Sequence, residues 1–197
     1  LITSSAASDV YKRQQEYTPP LPITDIKHNI ASIDVYETNL PNVDNERLMY
    51  EVVNNEQERI DANPEDTHYE DIKFPGSDTC MHFMGEVERA VKAYANKDVE
   101  LTGIWTHKTE PNGSTAFHSH TNSLYSFVYY PQHEEGQGDI HFTVFINDMP
   151  RFEKVIQPKA GMLLIFDSKI SHYTGKNVTN TDRYSISGNF NIRSNND

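Results

Sequence analysis

Sulfur chemistry is almost absent from this 197-residue chain: Cys80 is its only cysteine, so no disulfide can close within it. That fits a reducing, cytoplasmic setting. Long apolar runs are missing as well. No stretch approaches the ~20 residues that cross a bilayer, and the opening residues do not read as a charged-then-apolar signal peptide. Positive charge is scarce. Lys and Arg total 17 against 29 Asp and Glu, a formal net charge of -12. A surface that acidic repels phosphate backbones, so general nucleic-acid binding is not expected, and neither is a membrane partner. There is no internal repeat and no low-complexity tract. What remains is a length that suits one domain with a substantial core, and nine histidines, enough to make chance His–His spacings common.

The first residues stand apart. "SSAASDVYKRQ", Ser4 to Gln14, resembles one reading frame of the transposase adapter used in sequencing libraries. Residues 1–14 are therefore set aside as carrying no fold or function, and 15–197 are taken as one domain.

Proline-punctuated sequence leads to a short strand expected around Ile30–Tyr36. Leu48, Val52, Val53 and Ile60 suggest an amphipathic helix within 45–62, and 63–77 reads as a polar loop. The next helix is better defined: Met84, Val87, Val91 and Tyr94 recur at helical spacing, with Met81 and Phe83 taken as core. After Lys97, β-branched and aromatic residues dominate. Strands are expected near 99–108, 123–130, 139–146, 152–156, 162–166 and 183–192, separated by "PNGS", "EEGQGD" and "PKAG". Helices followed by many short strands predict an α+β protein, a double-stranded β-helix (jelly roll) over 98–193 backed by N-terminal helices over 43–97.

The chemistry-bearing motif is "FHSHTNSLYSFVYY", Phe117 to Tyr130. On a strand, residues i and i+2 share a face, so His118 and His120 converge as chelation requires. Alone, the pair is equally a polar strand edge. Downstream, "GMLLIFDSKISHYTGKNVTNTDRYSISGNFNI" supplies His172 after an apolar strand. It also supplies a final strand on which Arg183, Ser185, Ser187, Asn189 and Asn191 share one face. If that face lines a cavity, Arg183 can grip a carboxylate and Ser185 can assist. The bland alternative is a solvent-facing sheet surface.

Taken together, "HSHTNSLYSFVYY", "PKAGMLLIFDSKISH" and "RYSISGNFNI" resemble the Fe(II)- and 2-oxoglutarate-dependent oxygenase superfamily. More narrowly, they are similar to a group of such oxygenases frequent in marine bacteria and their phages. The resemblance covers roughly the C-terminal half. It implies a dioxygenase that couples O₂ and the conversion of 2-oxoglutarate to succinate and CO₂ to oxidation of a C–H bond. His118 and His172 are implied as iron ligands, with Arg183 and Ser185 on the distal carboxylate of 2-oxoglutarate. Tyr130 is either a third contact to that carboxylate or core packing. The departure is at position 120, where an Asp or Glu is usual and this chain has histidine. His120 as third ligand keeps the donor set neutral, eases zinc or nickel occupancy and leaves no open place for a halide. Asp167, Glu134 or Glu135 could supply a carboxylate instead.

Two other classes remain open. A cupin shares the barrel and favours three histidines, but lacks a use for Arg183, and its usual glutamate shortly after H-x-H is missing. A metal-free jelly-roll binding module would leave the three histidines scattered. No motif in the Glu110–Ala116 loop, the Pro131–Gly138 loop or the helical part identifies the primary substrate.

Overall fold

In the computed structural model, residues 32–56, 58–62, 69–147 and 149–194 are described. The adapter-like residues 1–14, and Ile30 and Ala31 of the first expected strand, lie outside them. Residues 34–197 form one compact unit.

The strongest local signal becomes the longest helix. Helix α2, Asp78–Ala95, starts where the Ser77 hydroxyl accepts the Cys80 amide at 3.2 Å, and stops at Asn96 in the left-handed region (φ 51°); both are common helix ends. It buries Phe83, Val87 and Val91. Met81, expected in the core, is 57% exposed, because the apolar stripe runs through 83, 87 and 91 and position 81 falls outside it. Helix α1, Asn45–Asn54, is capped by Asp44 and buries Leu48, Met49 and Val52. It ends earlier than its sequence suggests. Val53 faces solvent, and the chain turns into strand β2, Arg59–Ala62.

β1 is Val35–Asn39, β3 Tyr69–Lys73, β4 Val99–Thr109 and β5 Tyr125–Tyr130. β6 is Ile140–Ile146, β7 Met149–Ile156, β8 Met162–Asp167, β9 Ser171–Thr174 and β10 Arg183–Ile192. They form a seven-stranded sheet in the order β1-β8-β5-β10-β4-β3-β2 and a three-stranded sheet in the order β7-β6-β9. The six expected later strands all appear. β9 and β3 replace stretches read as loop, since the first is four residues long and the second, "YEDIK", lacks apolar alternation.

The large sheet works with both faces. Phe127 and Tyr129 of β5, Leu163 and Ile165 of β8, and Ile186 and Phe190 of β10 pack with the helices. Val128, Tyr130, Met162, Leu164 and Phe166 turn to the other face and meet Ile140 and Phe142 of the small sheet. A strand buried on both faces must be apolar at every position, which is why β8 reads as the unbroken run Met162–Phe166. β10 is the exception that makes a site. Its even residues enter the helix-side core, while Arg183, Ser185 and Ser187 face the small sheet. Among the described residues, no helix is long and apolar enough to cross a membrane.

Truncating the α2 stripe tests this packing. Phe83→Ala is expected to lower unfolding free energy by about 3–5 kcal/mol, and Met81→Ala to change it by less than about 0.5 kcal/mol, both read from urea denaturation midpoints.

Candidate metal and anion site

At the site, backbone hydrogen bonds tie the segment after β4 to β9 of the small sheet and to the turn after β8. His118 lies outside the named strands but forms an antiparallel bridge with His172 of β9. The His118 amide donates to the His172 carbonyl at 3.0 Å, and the His172 amide to the His118 carbonyl at 2.9 Å. Two residues on, the His120 amide donates to the Ser168 carbonyl at 2.8 Å. These bonds place the three rings with centroids 4.3 Å (118–172), 5.0 Å (118–120) and 5.4 Å (120–172) apart. One ligating nitrogen from each lies within 4.8 Å of the other two. From that spacing, modest rotamer adjustment brings all three to about 2 Å of one ion. A scattered arrangement, as a metal-free binding module would have, is not what is found.

Ring orientation is set locally. His118 Nδ1 sits 2.8 Å from the Ala116 carbonyl, and His172 Nδ1 3.0 Å from the Ile170 carbonyl. A carbonyl only accepts, so each Nδ1 carries the proton and each Nε2 keeps its lone pair free. His120 has no such hydrogen bond among the described residues. Its ring lies 5.7 Å from that of Trp105. Burial, reinforced by the neighbouring His118, holds His172 down at about 3 and His120 at about 4, against the usual 6.5. Both are neutral at physiological pH, the form a metal requires.

The carboxylates considered as alternatives do not join this cluster. Asp167 is exposed and accepts the Lys169 amide. Glu134 accepts the Thr181 hydroxyl, and Glu135 is exposed. The donor set brought together is three imidazoles.

The cavity is lined by the three histidines with Trp105, His107, Thr115, Tyr130, Thr174, Ser185 and Ser187, over apolar Phe127, Val128, Ile140 and Phe166. Arg183 lies directly behind this lining, 1% exposed. Its Nη1 donates to the Gln137 carbonyl at 2.9 Å, and its Nη2 to Thr109 Oγ1 at 2.8 Å and Thr174 Oγ1 at 3.0 Å. Among the described residues Nε has no partner and no carboxylate reaches the guanidinium. Burial pulls Arg183 below its ordinary range, with Tyr130 opposing. Tyr130 is pushed up to about 12 by burial, so its phenol keeps its proton. Neither Tyr130 nor Ser185 makes a side-chain hydrogen bond among the described residues. A buried cation without a counter-ion is costly, and this one sits beside two uncommitted hydroxyls.

Sequence reading missed part of the lining. Trp105, His107 and Thr109 alternate on β4 and pair with Ser187, Ser185 and Arg183. "WTHKT" carries that period of two and could have revealed them. Asp71, which hydrogen-bonds His107 at 2.7 Å, sits on a strand that gave no signal.

Residues 103–189, somewhat under half of the chain, match a sequence-family model described as "Putative 2OG-Fe(II) oxygenase". No curated protein sequence matches. Solved structures share the fold at low identity. A Pseudomonas putida prolyl-4-hydroxylase is 19% identical, with 82% of this chain and 94% of that chain covered and a TM-score of 0.60. The epimerase SnoN from nogalamycin biosynthesis, in complex with Fe3+, alpha ketoglutarate and nogalamycin RO, is 12% identical over 81% and 79%, with a TM-score of 0.68. HygX from Streptomyces hygroscopicus, with nickel, 2-oxoglutarate and hygromycin B bound, is 10% identical over 81% and 83%, with a TM-score of 0.64. The matched segment contains all three histidines, Arg183 and Ser185. The description of the matched family names 2-oxoglutarate, Fe(II) and an oxygenase, and the solved structures share the fold.

The depressed imidazoles predict an acid limit. Unfolded, His120 and His172 titrate near 6.5; folded, they stay neutral to about 4 and about 3. The unfolded chain therefore takes up more protons between those values, and stability is full above pH 6.5 and falls as the pH drops toward 4. Thermal melts of EDTA-treated protein from pH 8 to 4 should show that decline, and His172→Asn should flatten it.

Proposed function

We propose that His118, His120 and His172 hold Fe(II), that Arg183, Ser185 and Tyr130 hold the distal carboxylate of 2-oxoglutarate, and that the reaction hydroxylates a C–H bond. The observation that supports this most is the pairing of a three-imidazole cluster with a buried guanidinium that has no counter-ion among the described residues, behind the same cavity wall. A metal alone explains the histidines, but only an anion explains Arg183. When bound, the iron and 2-oxoglutarate supply O₂ activation coupled to decarboxylation, releasing succinate and CO₂.

The chain's residues do the rest. The His118–His172 bridge fixes two ring positions before any ligand arrives. The Ala116 and Ile170 carbonyls hold Nδ1 protons, aiming both Nε2 lone pairs inward. Arg183 keeps Nε–H unspent, and its terminal nitrogens are braced by Gln137, Thr109 and Thr174, so it meets an anion already oriented. The protonated phenol of Tyr130 can donate to the same anion, as can the Ser185 hydroxyl. Val128, Ile140 and Phe166 exclude water and strengthen each of these interactions. With an imidazole at 120, the three donors would carry no charge, and a bound divalent ion would rely on an anion such as 2-oxoglutarate for neutralisation. The full occupancy of the ligand cluster also argues against halogenation.

A cupin-type dioxygenase or isomerase is the second reading, since three histidines suit it. It gives Arg183 nothing to bind. The narrower kinship, with the marine bacterial and phage group, rests on the motifs "HSHTNSLYSFVYY" and "RYSISGNFNI". Residues 15–197 are taken as a single oxygenase-like domain acting in the cytoplasm.

Succinate formation from 2-oxoglutarate with Fe(II) and ascorbate tests the reading directly, and its absence across a screen of substrate pools would sink it. Arg183→Ala is expected to weaken 2-oxoglutarate binding by at least about thirtyfold while leaving metal binding intact. His172→Ala is expected to lose metal by elemental analysis with its circular dichroism spectrum unchanged.

A further inference from the structure

Three residues, Ser168–Ile170, carry the chain from the end of β8 in the large sheet to the start of β9 in the small one. Two of the three clustered histidines lean on this crossing. The Ser168 carbonyl accepts the His120 amide at 2.8 Å, and the Ile170 carbonyl lies 3.0 Å from His172 Nδ1. The rings differ in what else holds them. His118 and His172 are pinned to each other by their bridge, and each has a carbonyl against Nδ1. His120 has neither among the described residues. Its ring takes its place from its backbone, and that backbone is fastened to Ser168.

What fixes Ser168 is a buried polar chain. Strand β5 is aromatic or β-branched at every position but one, and the exception, Ser126, is 2% exposed. The Ser126 hydroxyl donates at 2.7 Å to Oδ1 of Asn189, its register partner on β10. With its one proton spent, Ser126 accepts from the hydroxyl of Ser168 at 2.8 Å. Ser168 is fully buried, and its amide donates to the Leu124 carbonyl at 3.0 Å. A hydroxyl taken out of water is costly without a partner, so turning Ser168 away would strand two of them. The chain therefore ties β10 and β5 to the carbonyl that holds His120.

We infer that Ser126 and Asn189, acting through Ser168, are positioning residues of the metal centre, which hold the β8–β9 crossing so that the His120 imidazole stands ready as the third ligand. This rests on the proposed metal site and deepens it. Loosening the crossing leaves His118 and His172 still paired by their own bridge, and its effect falls on His120.

The test uses Co(II) as the probe, titrated into the EDTA-treated full chain and read by visible absorption and by the hyperfine-shifted ring N–H resonances of ligated imidazoles. The wild type is expected to show three such resonances. Ser126→Ala, which removes one hydroxyl and adds no bulk, should weaken Co(II) binding by about tenfold to a hundredfold and abolish one resonance. In a His120→Ala background the same substitution should change affinity by less than about twofold. Asn189→Ala takes the place of Ser126→Ala if the latter does not fold. A merely structural serine would weaken binding equally in both backgrounds. That result, or unchanged affinity, or a wild type with only two ligated imidazoles overturns the inference. A wild type that binds no Co(II) sinks the metal site along with it. A chain that shows the background-dependent loss yet forms no succinate from 2-oxoglutarate leaves the positioning role standing and sinks the oxygenase reading instead.

Discussion

Two backbone hydrogen bonds between His118 and His172 hold the rest of the site in place. The residues are 54 positions apart in sequence, and one of them belongs to no strand. Their bridge draws the loop that follows β4 onto β9 of the small sheet and brings two imidazole rings to 4.3 Å. The third ring follows from the first, since His120 is two residues on and is fastened to the Ser168 carbonyl. The cavity therefore lies where the sandwich halves meet, and its ligands are correctly spaced only while both halves are in register.

The opposite wall depends on a different economy. β10 sends Ile186 and Phe190 into the helix-side core and reserves its other face for polar groups. That arrangement works because the helices supply enough apolar cover for one face of the large sheet. The other face can then give up packing around Arg183 in return for a binding function. Arg183 illustrates the trade: it is braced by three protein acceptors and has no counter-ion among the described residues, which stabilises its position without neutralising its charge.

Much of this was legible in sequence, for reasons tied to particular residues. The period of two in "RYSISGNFNI" placed Arg183 and Ser185 on one face, and β10 has that face. The H-x-H pair and the distal His172 were visible as motifs, and the structure brings them together. Their convergence was not visible, because it depends on the non-local 118–172 pairing. β3 and β9 were missed. A polar edge strand such as "YEDIK" has no apolar alternation, and a four-residue strand is shorter than any window that reveals one. With β3 went Asp71, the hydrogen-bond partner of His107 in the cavity lining. Met81 was misplaced because helical spacing fixes a stripe's width only approximately, and one residue of rotation moves a side chain from core to water.

His118 and His172 take their ring direction from the carbonyls of Ala116 and Ile170, each two residues earlier in its own segment. No distant partner is needed to aim either lone pair. The ligand-bearing tripeptides are thus self-contained, and the loops and wall residues around them can diverge without turning the donors away. A lineage built on such a centre could exchange one substrate for another by re-lining the cavity while the metal's coordination stays the same.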